Sequence, residues 1–247
     1  MTRTGGTRGA TGALAVILLL AMIGCASKVT QPVFRKPVPS AGLKPDSPAN
    51  VLRLLEWSYN NRAIDVYRDL FTADFEFHFS PVDSAGAEYR GTPWTREDEM
   101  IYARQLFLGG GPEPPADSIS LTLDRNFLVF PDPRTASFDP TGIRHRTIRT
   151  QVLLTIVTVD RVVDISGAAI FYFVRGDSAL IPEEMLQRGI GPDSTRWYIQ
   201  RWDDETVQAG PSPGLRTTDV RLARSGSILA SRASSHRTWG SLKALYR

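Results

Sequence analysis

The chain has 247 residues, 42% hydrophobic and 22% charged, with 17 prolines and one cysteine, Cys25. That length and balance suit one globular domain with extensions, and a lone cysteine excludes an internal disulfide and a cysteine-based zinc site. The net charge of +3 is unevenly placed: residues 1–24 carry +2, residues 210–247 carry +6, and the body between them −5. A mildly acidic body excludes the basic face of a nucleic-acid-binding domain, so no nucleic-acid partner is expected.

Arg3 and Arg8 precede an apolar run over residues 13–23, which ends in Met22-Ile23-Gly24-Cys25-Ala26. The run is shorter than the roughly 20 residues a transmembrane helix needs and has the form of a signal-peptide core. Ile23, Gly24 and Cys25 resemble the bacterial lipobox, with Met22 standing where leucine is usual. The resemblance implies that residues 1–24 are a signal peptide and that Cys25 becomes the lipidated first residue, carrying palmitate-type chains. Each buried methylene adds about 0.8 kcal/mol of anchoring. Lipoprotein sorting implies a place in the cell envelope, and Ala26 after the cysteine implies the outer membrane where the organism has one. Residues 25–46, with Pro32, Pro37, Pro39 and Pro45, read as an extended tether.

From residue 47 the pattern is that of a folded domain, expected to run to residue 208. Ser47 can cap a helix whose first position is Pro48, and Val51, Leu52, Leu55 and Tyr59 share one face. Asn60 and Asn61 break it, and Ala63, Val66, Tyr67, Leu70 and Phe71 form a second stripe. Asp74 to Phe79 alternates with period two, placing Phe75, Phe77 and Phe79 on one side of a sheet and Glu76 and His78 on the other. Thr95 can cap a third helix, where Glu97, Asp98 and Glu99 suit the positive end of the dipole; Gly109, Gly110 and Gly111 stop it. Ile119, Leu121 and Leu123 then alternate in a strand, and residues 127–130 read as another. Residues 144–160 and 162–175 form a long hairpin, in which Gly167, Ala168 and Ala169 mark a bend or a close neighbour. Residues 178–195 are an insertion with a helical turn, and residues 196–203 are the last strand of the body. Asp203, Asp204 and Glu205 read as a solvated strand end.

Three helices followed by long strands predict an α+β fold. The helix–break–helix–aromatic-strand opening and the closing Trp197, Tyr198, Ile199 and Trp202 resemble the nuclear transport factor 2-like superfamily, also described as ketosteroid-isomerase-like or SnoaL-like. More narrowly, the chain resembles uncharacterised bacterial lipoproteins carrying this domain. The resemblance implies a cystatin-like cone, with N-terminal helices packed in a curved antiparallel sheet. The superfamily includes enzymes, ligand binders and scaffolds, so it implies no single function.

The chemistry is sparse. His78, His145 and His236 have no metal-ligand spacing, and no phosphate loop or nucleophile elbow is present, so no metal or cofactor is expected. No motif matches the catalytic arrangement of the superfamily's isomerases. Tyr59, Tyr67, Trp94 and Tyr102 are the candidate ligand-binding residues, with core packing as their competing role. The expected function is a non-catalytic, membrane-anchored module that binds a small apolar ligand or an envelope protein. The alternatives are an isomerase, cyclase or dehydratase using the cone, or a homodimeric scaffold. Residues 209–247 read as a linker and basic tail. Within it Trp239, Leu242, Leu245 and Tyr246 lie at helical spacing behind a capping Thr238 and form a segment expected to dock.

Overall fold

The computed structural model describes residues 42–81, 83, 87–89, 92–207 and 233–247, without the side chains of residues 233 and 234. The expected lipobox and most of the expected tether lie outside the described residues. No helix among those described is long and apolar enough to cross a membrane.

The first helix, α1 (Pro48–Asn61), begins as its sequence dictates. The Ser47 hydroxyl accepts from the Asn50 backbone N–H, and the helix closes on Arg62 in the left-handed conformation at φ 51°. Val51, Leu52, Leu55 and Tyr59 are fully buried. A single-turn helix, α2 (Ile64–Arg68), leads into β1 (Phe71–His78), where Phe71, Phe75 and Phe77 are buried. Phe79 lies just beyond the strand, half-buried, with its ring stacked on Tyr89 at 4.8 Å. A short β2 (Trp94–Thr95) precedes α3 (Arg96–Leu108), whose first turn carries a reciprocal capping box between Thr95 and Asp98. Gly109, at φ 86°, ends it.

The strands β3 (Ser118–Leu123), β4 (Phe130–Pro131), β5 (His145–Val157), β6 (Arg161–Arg175) and β7 (Trp197–Val207) follow, with a helical turn, α4 (Glu183–Leu186), in the insertion. The strand expected over residues 127–130 reduces to β4: Phe127 packs against the core beneath the Arg53 guanidinium, Leu128 and Val129 are exposed, and only Phe130 pairs, with Thr147 of β5. The last two elements are β8 (Ala233–His236) and α5 (Trp239–Leu245).

The curved sheet has the order β2-β1-β7-β6-β5-β3, with β4 on β5 and β8 on β6. It is antiparallel except where β1 meets β7 and β8 meets β6. Strand β7 ends opposite Ser166 of β6, while β8 pairs with β6 from Arg161 to Asp164. Strand β5 occupies the other edge of that stretch of β6, so β8 takes up the row that β7 leaves. Gly167 lies where the two rows part. At φ 139°, an added Cβ there would meet the Thr206 Cα at 2.7 Å, the close approach its sequence position foretold. Helices α1 to α3 and α5 contribute to one core cluster with the inner faces of β1, β3, β5, β6 and β7.

Candidate functional site

The four aromatic candidates converge in the interior. Tyr59 comes from α1, Tyr67 from α2, Trp94 from β2 and Tyr102 from α3, and none is more than 1% exposed. The Tyr59 and Tyr102 hydroxyls are 3.2 Å apart. Tyr67 and Trp94 meet on a residue placed at the dipole end of α3 on sequence grounds. Glu99 is fully buried, not solvated. Its carboxylate accepts from the Tyr67 hydroxyl, from the Trp94 indole N–H at 3.0 Å, and from the Lys243 ammonium at both oxygens.

Lys243 belongs to α5 and is equally buried. Its Nζ stands 4.4 Å from the ring centre of Phe77, 4.5 Å from that of Tyr102 and 4.3 Å from that of Trp202. An ammonium facing a carboxylate and three aromatic faces combines an ion pair with cation–π attraction, which strengthens as water is excluded. Burial pulls the Lys243 ammonium down to about 8, with the Glu99 charge opposing. Burial, and next the Glu99 charge, push the Tyr59 and Tyr67 hydroxyls well above their ordinary range; for Tyr102 burial leads and Tyr59 follows. All three phenols are therefore neutral at physiological pH.

Helix α5 is fixed by a second buried polar group. Thr238 caps it and donates its hydroxyl to Asp83; the Trp239 N–H reaches the Thr206 hydroxyl at 2.8 Å, and the Gly240 N–H reaches Asp204 at 2.7 Å. Asp204 is 2% exposed, so this one position of the expected solvated strand end lies instead within β7, buried by the returning tail, while Asp203 and Glu205 stay partly exposed. Burial raises its carboxyl to about 6, opposed by hydrogen bonds from Thr206 and Gly240. Gly240 is required by contact: a Cβ would meet the Phe79 ring at 2.5 Å. Trp239 packs edge-on to Trp202 at 4.2 Å and donates its indole N–H to Tyr59 at 3.2 Å. Tyr246 donates to the Pro114 carbonyl at 2.9 Å.

Sequence reasoning missed Glu99 and Lys243, although a signal was present. Glu99, Tyr102, Ala103 and Leu106 share one helical stripe, and Trp239, Leu242, Lys243 and Tyr246 repeat the same spacing. Each stripe carries one charge of opposite sign where an apolar residue is expected. Glu76 and His78, placed outside the cone by the alternation of β1, are 3.0 Å apart and partly exposed. Among the described residues no cluster of His, Cys, Asp and Glu could hold a metal ion.

Helices packed against a curved, largely antiparallel sheet make this an α+β domain, the fold class expected from sequence. No protein-family model and no curated protein matches the chain. Similar solved structures include a candidate aromatic ring hydroxylase of Novosphingobium aromaticivorans (17% identity, 63% of this chain and 82% of that one, TM-score 0.41). A nuclear transport factor 2-like superfamily protein of Salmonella enterica matches at 13% identity over 70% and 92% of the two chains, with a TM-score of 0.38. A nuclear transport factor 2-like protein of Novosphingobium aromaticivorans with a cystatin-like fold matches at 11% identity over 62% and 75%, with a TM-score of 0.35.

Proposed function

We propose that the protein is a lipid-anchored, extracytoplasmic binding module whose cone holds a ligand or an envelope partner without converting it. The observation that carries the non-catalytic reading is the state of Glu99. A general base needs a lone pair within reach of a substrate proton, and both Glu99 oxygens are engaged by Lys243 inside a closed core. The anchoring half rests on the sequence of residues 13–25. A second reading draws on the same group, because a buried carboxylate beside Tyr67 and Tyr102 is the acid–base set that an isomerase or dehydratase requires.

Two measurements test the proposal. Labelled fatty acid fed to expressing cells is expected to enter the wild-type chain and to be lost in Cys25→Ser; unchanged incorporation overturns the anchor. A thermal-shift screen of the full chain with envelope lipids and hydrophobic metabolites separates binding from catalysis. A stabilising compound recovered chemically unchanged supports the binding module, and recovery as an isomer or dehydrated product overturns it in favour of the enzyme.

A further inference from the structure

The buried ammonium site has two parts of different origin. Its walls come from residues 67–202: Glu99 and Tyr102 on α3, Tyr67 on α2, Phe77 on β1, Trp94 on β2 and Trp202 on β7. Its occupant, Lys243, comes from beyond residues 208–232, on a helix of seven residues. A helix that short has little stability of its own and is held by its contacts. The walls form a receptor that is complete in residue content without the occupant. A carboxylate with two oxygens facing the cation, preset by a phenol and an indole donor, selects a group with at least two N–H bonds. The three ring faces select positive charge and exclude a neutral isostere. A quaternary ammonium satisfies the rings but cannot donate to Glu99.

Resting on the reading of the cone as a binding site, we infer that the Glu99 cage is a receptor for a primary alkylammonium ligand, and that Lys243 is a tethered occupant which the ligand replaces. Replacement conserves charge: one ammonium leaves Glu99 as another arrives, so the core is never left with an unpaired carboxylate. Withdrawal of Lys243 carries α5 with it, since Trp239, Leu242 and Lys243 enter the core together. Ligand binding in the cone is thereby coupled to exposure of the C-terminal segment, whose apolar face becomes available to a partner.

The test uses the full chain and n-butylammonium chloride, with sodium chloride at equal ionic strength as control. In Lys243→Ala, n-butylammonium is expected to restore at least roughly half of the lost melting temperature, by mass action on the folded state. Butan-1-ol and tetramethylammonium are expected to restore little, and the rescue is expected to vanish in Glu99→Gln/Lys243→Ala. Equal rescue by butan-1-ol, or rescue that persists without the Glu99 charge, overturns the ammonium receptor. The wild-type chain supplies a measurement that does not depend on the variant folding. Amide exchange over Trp239–Leu245 is expected to accelerate about tenfold at amine concentrations on the order of 100 mM, enough to compete with a tethered group of millimolar effective concentration. Exchange that stays unchanged in wild type overturns the replacement. Neither failure touches the anchor or the metabolite screen, so the ammonium receptor and the broader binding reading fall separately.

Discussion

Two acidic residues of this protein solve one problem in opposite ways. Asp139, in the loop before β5, takes its partners from its own neighbourhood: the backbone N–H groups of Ile143, Arg144 and His145 at 2.8–2.9 Å and the His145 ring nitrogen at 3.1 Å. Glu99 takes a phenol 32 residues away and an ammonium 144 residues away. The Asp139 loop satisfies its carboxylate as soon as the local turn forms. Burial opposes the charge there, but the backbone and His145 donors prevail and hold the carboxyl down to about 2. Glu99 is satisfied only when α2, α3, β2 and α5 are all in place. A locally solvated charge is a property of a loop; a distantly paired one is a property of the whole fold and reports on whether the tail is docked.

The largest expected effect breaks this contrast at its distant end. Glu99→Gln leaves the Lys243 ammonium buried without a counter-charge and is expected to cost about 3–5 kcal/mol in urea unfolding, whereas Glu99→Leu/Lys243→Met is expected to recover most of that loss. Asp139→Asn removes only part of a set of local hydrogen bonds and is expected to cost about 1–3 kcal/mol. Equal losses in the two single variants would show that the tail ion pair is no more demanding than the loop.

A pH series sharpens the comparison. Asp139 has a depressed folded-state value, so its contribution is present above about pH 4 and is lost as the pH falls towards 2. Asp204 has the opposite sign. Its value is raised to about 6, so the folded state binds more protons than the unfolded one between about pH 4 and 6. Its contribution is full below about pH 4 and is lost as the pH rises through 6, amounting to roughly 3 kcal/mol at most. Melting temperatures of wild type and Asp204→Asn are expected to diverge in that window, with wild type the more favoured on the acid side. Parallel curves from pH 4 to 7 would remove Asp204 from the account of how α5 is held. The smallest effect is the surface control: Glu76→Ala, which removes a partly exposed partner of His78, is expected to change stability by less than about 0.5 kcal/mol.

Much of the fold was legible because its signals are short-range. The Ser47 and Thr95 caps, the period-two burial of β3 and the hairpin of β5 and β6 each follow from residues within a few positions of one another. The failures share a different cause. The acidic run of Asp203, Asp204 and Glu205 reads as solvated until Gly240, 36 residues later, covers Asp204, and residues 127–130 read as a strand although only Phe130 finds a partner in the sheet. Propensity and pattern report what a segment can form; they do not report what arrives to cover it.

The sequence by itself determined the helix boundaries, the apolar faces, the α+β class and the helical spacing of Trp239, Leu242, Leu245 and Tyr246. Those features depend on backbone geometry and on the separation of apolar from polar side chains, which act over three or four residues. Only the tertiary structure decided that Glu99 and Lys243 meet. Each is a charge on an otherwise apolar stripe, and taken singly each is an unfavourable burial. Their juxtaposition, inside a wall of rings from β1, β7 and α3 itself, turns two costly positions into one compensated pair. That compensation exists only at the separation the completed fold imposes, because attraction between charges grows as they approach and as water is excluded from between them.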